Sequence, residues 1–210
     1  MILDEAAPKQ LRREIEALAC PGLDLGVMTL SEFEAYAAWG SADAWARYGY
    51  AHLKADIDKT GRVQPLIDAK GCVPVEAAPR FIDASLDHLL NQLYRGLKCL
   101  RDGELVASRL EAAEGIKPFL DAVFALHGGR LRPYYKYLAW ELTTHPLQRL
   151  PFDGSKLSHR LPEVLGADGA LALQALVADT HTVFREAGHV SVFADWGEAV
   201  DWMLSWTPAG

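Results

Sequence analysis

Leu93-Tyr-Arg-Gly-Leu-Lys-Cys-Leu-Arg-Asp-Gly-Glu-Leu-Val-Ala-Ser-Arg-Leu110 is the stretch on which the fold turns. At its centre, Asp102-Gly103 stops one helical run and starts the next, because a glycine just past a helix takes the left-handed conformation that closes it. The run before it reaches back to Pro74, with Pro79 near its start, where a missing N–H costs little. The run after it extends from Glu104 to His127 and stops at Gly128-Gly129. Two helices of this length joined by so short a link lie antiparallel. The spacing therefore predicts a helical hairpin in the middle of the chain.

Downstream, Arg132-Pro-Tyr-Tyr-Lys-Tyr-Leu-Ala-Trp-Glu-Leu142 gathers three tyrosines, a tryptophan, two cations and a carboxylate. With Pro133 as a first helical residue, Tyr134, Tyr137, Leu138 and Glu141 share one face, and Lys136 and Trp140 stand a turn apart on another. Two readings stay open. One is a pocket wall that stacks a flat ring and holds an anion; the other is an amphipathic core helix whose hydroxyls and lysine reach solvent. The stretch from Thr143 to about Ser158, with Pro146, Pro151 and Gly154, reads as a loop. Helices over about 168–187 and 192–206 follow, the second anchored by Trp196, Trp202 and Trp206.

Upstream, residues 4–19 carry Leu11, Ile15 and Leu18 at helical spacing, and Cys20-Pro21-Gly22 ends that run. Residues 23–29 alternate as a strand, with Leu23, Leu25 and Val27 on one face. Ser31 with Glu34 predicts a capping box, and Ser41 opens a further helix to about Asp58. A lone strand cannot satisfy its own backbone. It pairs with Met1-Ile-Leu3, with another chain, or with a sheet lying outside this sequence.

The chain has 210 residues and a net charge of −7, so nothing in its overall charge attracts nucleic acid or anionic lipid. An anionic ligand must meet a local basic cluster. Cys20, Cys72 and Cys99 show no metal spacing, and reduced thiols in a cytoplasmic protein are the expectation. Met1-Ile-Leu-Asp-Glu5 lacks the features of a signal peptide, and no apolar run approaches the ~20 residues of a membrane span.

Several patterns imitate known sites. Asp56-Ile-Asp58-Lys-Thr60-Gly61 resembles the opening of a calcium loop, but Ile67 stands where a bidentate Glu is required and Pro65 interrupts the following helix. Gly40-Ser41 with Asp56 and Asp58 imitates a nucleotidyltransferase metal signature, yet no strand is read there to aim both carboxylates at metals from one side. Arg47 and His52 form an isolated pair at a spacing that arises by chance. On the long helix, Asn91, Tyr94, Arg95 and Lys98 fall at i, i+3, i+4 and i+7, one stripe with a planar fork and a point charge for phosphate. The alternative is that Tyr94 packs and both cations are solvated. His127 and His145 read as satisfied or exposed side chains.

The strand followed by Thr29-Leu-Ser-Glu-Phe33, then Leu93-Tyr-Arg-Gly-Leu-Lys98, Ala107-Ser-Arg-Leu-Glu-Ala-Ala-Glu114 and Phe124-Ala-Leu-His-Gly-Gly-Arg-Leu-Arg-Pro-Tyr-Tyr-Lys-Tyr-Leu138, occur in an order that carries a resemblance. The chain resembles bacterial antibiotic (kanamycin-type) nucleotidyltransferase-domain proteins of the DNA-polymerase-beta-like superfamily, over nearly its whole length. The resemblance implies a mainly α fold, a helical bundle preceded by a remnant, one or two strands plus a helix, of an α/β nucleotidyltransferase domain. Residues 1–40 would be that trailing part and 41–210 the helical substrate- and nucleotide-binding domain.

It also implies ATP and Mg2+, with Asp24 as third carboxylate and metal ligand, Glu111 as base for an acceptor hydroxyl, and Asn91, Tyr94, Arg95, Lys98, Arg132, Tyr135 and Lys136 toward the nucleotide. Arg109 would add positive potential. The Gly-Ser and Asp-x-Asp segment of that kind is not found, and one carboxylate cannot place two metal ions. The expectation is a shortened, catalytically weak or silent nucleotidyltransferase. A complete form would transfer a nucleoside monophosphate from ATP to a hydroxyl on a small-molecule or protein acceptor. The competing expectation is a non-catalytic helical binding module, including a homodimer that covers the open edge of strand 23–29.

Overall fold

The computed structural model describes residues 1–23 and 25–208. The chain is mainly helical with two short parallel strands near its start, and it divides into two compact units, Met1–Cys72 and Val73–Gly210. This division and the boundary at residue 40 drawn from sequence fall at different places.

In the first unit, β1 (Ile2–Leu3) pairs in parallel with β2 (Met28–Thr29), Ile2 opposite Met28 and Leu3 opposite Thr29. Of the three pairings left open by the sequence, the one with the N-terminal residues forms. The amine of Met1 donates to the Gly26 carbonyl at 2.7 Å, and the Met28 N–H donates to that of Met1 at 3.1 Å. The strand is shorter than the predicted 23–29, because Leu23 instead closes a turn with Cys20. Between the strands, α1 (Lys9–Glu16) buries no residue.

Helix α2 (Leu30–Ala35) starts earlier than expected, and its capping box joins Thr29 to Glu32 rather than Ser31 to Glu34. The backbone N–H and hydroxyl of Ser31 go instead to Glu5, whose carboxyl that N–H holds below the usual carboxylate range. The helix expected over 41–58 is a 3-10 helix over Ala44–Tyr50 followed by turns. Arg47 supplies a physical reason. It is buried, and its guanidinium donates to the carbonyls of Ala37, Ala69 and Cys72 at 2.9, 2.6 and 2.7 Å.

Lys70, buried on α3 (Val63–Lys70), donates in turn to the carbonyls of Glu34 and Tyr36. Pro65 sits in the first turn of α3, where its missing N–H breaks no bond. Asp58, from the calcium-like motif, accepts from the N–H groups of Val63 and Gln64 at 2.9 Å each and so caps α3.

The second unit is built on the predicted hairpin. Helices α4 (Ala78–Arg101) and α5 (Leu105–Leu126) pack along their length, turning at Gly103, whose φ of 80° only glycine adopts freely. Leu86, Leu89, Leu90, Leu93 and Leu97 of α4 meet Ala112, Phe119, Leu120, Val123 and Phe124 of α5 in a sealed core. Burying such side chains contributes roughly 1.5–3 kcal/mol each before the entropy of ordering is counted.

The tyrosine-rich segment is not helical from Pro133. Tyr134 is extended, Tyr135–Tyr137 form a 3-10 turn, and α6 runs over Leu138–Thr144. The region read as loop ends in a further 3-10 turn, Gly154–Lys156, leading into α7 (Leu157–Val164). Helix α8 (Gly169–Glu186) packs on α4, α5 and α7. The single terminal helix expected over 192–206 is two, α9 (Val190–Trp196) and α10 (Glu198–Ser205), broken at Gly197 with φ 52°.

Tryptophan anchoring takes a definite form. Tyr94 of α4 lies 5.8 Å from the Trp196 ring and 5.5 Å from that of Trp202, and the Trp196 N–H donates to Asp87 at 2.8 Å. All three cysteines are free, and among the described residues no helix is long and apolar enough to cross a membrane.

Candidate functional site

On α5, Ala113 and Ile116 stand at helical spacing with the fully buried Leu120, and two elements close over them. The tyrosine segment contributes Tyr135, Leu138 and Ala139. The far side of α7 contributes Ser158, Leu161, Pro162 and Leu165. Together they bound an open, largely apolar pocket of about 430 Å³. Ring-binding sites are commonly apolar concavities with a few placed polar groups.

Two ion pairs fix the tyrosine segment in place, and a third, within α5, shares one of their carboxylates. Arg132 Nε donates to Asp121 Oδ1 on α5 at 2.8 Å, while Lys117 Nζ donates to Oδ2 of the same carboxylate at 2.7 Å. Arg130 donates to Glu141 Oε1 at 2.8 Å, and that glutamate is only 2% exposed. The Arg132 guanidinium stands 5.2 Å from the Tyr135 ring centroid, and Arg130 lies 5.1 Å from that of Phe124. Tyr135 itself is 59% exposed, so its ring is presented rather than packed away. Lys136, beside it, is exposed with its ammonium 4.7 Å from the Tyr137 ring.

His127 secures the end of α5 behind this segment. Its Nδ1 lies 2.7 Å from the Val123 carbonyl, and its Nε2 accepts from the Arg149 backbone N–H at 2.9 Å. A carbonyl only accepts and a backbone N–H only donates, so the proton belongs on Nδ1 and the ring is neutral. Burial, which disfavours the charged form, pulls its pKa below the ordinary histidine value.

The residues singled out by sequence fall into two places. Arg132, Tyr135 and Lys136 belong to the segment just described, with Tyr135 in the pocket wall. Asn91, Tyr94, Arg95 and Lys98 lie on α4. Tyr94 packs in the tryptophan cluster, Lys98 stands 5.0 Å over its ring, and Asn91 is half-buried. Arg95 pairs with Glu111, so the carboxylate considered as a base is engaged by a cation.

Arg95 and Arg132 thus hold carboxylates ten positions apart on α5, a separation of about 15 Å along a helix axis. The two cationic sets are each tied to α5, at different heights. Asp24 lies outside the described residues.

Among the described residues no three His, Cys, Asp or Glu side chains are grouped to hold a metal ion. With Glu111 committed to Arg95, the described donor set does not fit a two-magnesium centre.

Sequence reasoning missed Asp121, which fixes Arg132, and the α7 wall of the pocket. For α5 a signal was present in the apolar spacing of 113, 116 and 120. For α7 it was masked by Pro162 inside the helix. Compared with known proteins, the chain matches no family model, no curated protein and no solved structure.

Proposed function

We propose that the second unit is a ligand-binding module, and that its ligand carries a flat ring seated against Tyr135 in the pocket between α5, the tyrosine segment and α7. The observation that carries this reading is the presentation of Tyr135 at 59% exposure on the wall of an apolar pocket, with Arg132 locked behind its ring. An aromatic face of this kind stacks a ring, and the neighbouring Lys136 supplies a charge for an anionic tail.

The nucleotidyltransferase resemblance supplies the ligand class: a nucleotide, or a ring-bearing small-molecule acceptor. In the complete form of that kind the reaction would pass a nucleoside monophosphate from ATP to a hydroxyl. What this chain's own residues support is the binding part of such chemistry.

Calorimetry on the full chain with ATP, with and without Mg2+, and with adenosine tests the proposal. Stacking on one aromatic contributes about 1–3 kcal/mol, so Tyr135→Ala is expected to weaken ring binding roughly 5- to 150-fold. Lys136→Ala should weaken ATP but leave adenosine unchanged. Absence of binding by all three ligands, or a Tyr135→Ala variant that binds as well as the parent, would overturn it.

A further inference from the structure

A second concavity lies on the opposite face of α7 from the pocket of Tyr135. Ser158, Leu161 and Leu165 point one way around that helix, whereas Lys156 and Arg160, one turn apart, stand about half a turn round from them. Pro151 and Phe152 supply the apolar part of its wall, and Asp179 of α8 completes the lining of a space of about 360 Å³.

Arg160 is held in place but not used up. Its Nη1 donates to Asp179 Oδ2 at 2.6 Å, and its guanidinium carbon stands 5.0 Å from the Phe152 ring centroid. The side chain is 22% exposed, and of the five N–H groups of a guanidinium this bond takes one. None of its nitrogens is both sealed from solvent and unpartnered, so the unspent donors are reached through the cavity that Arg160 lines.

Asp179, 50% exposed, has its other oxygen open. Lys156 is exposed and forms no ion pair among the described residues. Asp153, the nearest carboxylate to it in sequence, gives its Oδ1 to the Ser155 N–H at 2.9 Å.

Two cations one turn apart on a helix repel one another, so an anion placed between them is stabilised. A carboxylate matches the planar fork of Arg160. A bare anion would also meet the charge of Asp179, whereas a ligand with a cation beside its carboxylate turns that repulsion into a bond. In a free α-amino acid the ammonium and the carboxylate share one carbon, and here the Arg160 donors and the Asp179 carboxylate stand side by side.

We infer that this cavity binds a free α-amino acid. Its carboxylate lies between Arg160 and Lys156, its ammonium on Asp179, and an apolar side chain on Pro151 and Phe152. None of these residues borders the pocket of Tyr135, so the two sites stand or fall separately.

Titration of the isotope-labelled full chain with L-leucine, followed by NMR, measures the association, with circular dichroism confirming that each variant is folded. Binding is expected to saturate in the millimolar range or below, with the largest shifts at Phe152, Lys156, Arg160 and Asp179. N-acetyl-L-leucine lacks the ammonium and L-leucinamide lacks the carboxylate, and each should bind about tenfold more weakly or worse. Lys156→Gln, a change at an exposed position, should weaken L-leucine by about the same factor. Asp179→Asn should also weaken L-leucine, while binding N-acetyl-L-leucine at least as well as the parent does.

An absence of shifts at these residues with L-leucine at tens of millimolar would overturn the inference. So would equal affinity for L-leucine and N-acetyl-L-leucine, or tighter binding of L-leucine by Asp179→Asn, because the cavity would then take a plain anion. Unchanged affinity in Lys156→Gln would remove the carboxylate from its assigned place and overturn it as well.

Discussion

Replacing Asp121 by Asn tests how firmly the pocket wall is held. The change keeps the volume of the side chain but removes the charge that two cations share. Arg132 loses its carboxylate in a setting where its side chain is 22% exposed and that of Asp121 is 11% exposed. Breaking a fully buried pair costs about 3–5 kcal/mol, and an exposed one well under 1 kcal/mol. The intermediate burial places the Arg132 contribution at about 2 kcal/mol.

Lys117 adds roughly 0.3–0.5 kcal/mol, as expected for a solvated pair one turn apart on a helix. Its ammonium would also face an amide N–H in the variant if Oδ1 keeps the bond from Arg132. The summed loss is about 2–3 kcal/mol, which lowers the urea midpoint by roughly 1–2 M at an m-value typical of small proteins. Urea titration followed by circular dichroism reads this shift.

The double variant Asp121→Leu with Arg132→Met removes both charges together and should recover most of the loss, because the one cation left without its partner, Lys117, is exposed to solvent. An Asp121→Asn protein within about 0.5 kcal/mol of the parent would show that solvent already screens the pair. Arg132 would then not be what holds the tyrosine segment.

Two further outcomes follow from groups buried elsewhere. His127 is held neutral with its pKa below the ordinary value, so the unfolded chain binds a proton before the folded one as pH falls. Stability is therefore full above about pH 6.5 and declines from there down to the lowered folded-state pKa. Urea midpoints measured from pH 8 to pH 5 should show that decline, and His127→Gln should flatten it. Arg47→Met orphans three carbonyls in the first unit and is expected to cost that unit about 3–5 kcal/mol, after the relief of a buried cation is set against the lost bonds. The Trp39 ring lies 5.4 Å from that guanidinium, so tryptophan fluorescence during denaturation should report the change.

The central hairpin was legible in the sequence because its signals are local. Gly103 closes a helix by its own backbone freedom, and the apolar spacing on either side fixes which faces meet. The same holds for the helix at 169–186, whereas the pairing of Met28-Thr29 with the first residues of the chain, a contact between distant positions, was only one of the alternatives the sequence left open. The elements misread were those whose conformation is set from a distance. Residues 44–50 wind as a 3-10 helix around a buried Arg47 that serves carbonyls 10 to 25 positions away. The capping box moved by two residues because Glu5 claims Ser31.

For the candidate site, composition singled out Arg132–Leu142 but left a pocket wall and an amphipathic core helix both open, and Tyr135 entered only through the resemblance. Composition could not say that Arg95 and Arg132 would be tied to different heights of α5, nor that Asp121 would hold one and Glu111 the other. Local backbone preference and apolar period act within a few residues, so the chain itself dictates where most of its helices begin and end. A pocket is the space left when three elements converge, and an ion pair forms only between groups that packing has brought within about 3 Å. Those distances come into being only when α5, the tyrosine segment and α7 have docked.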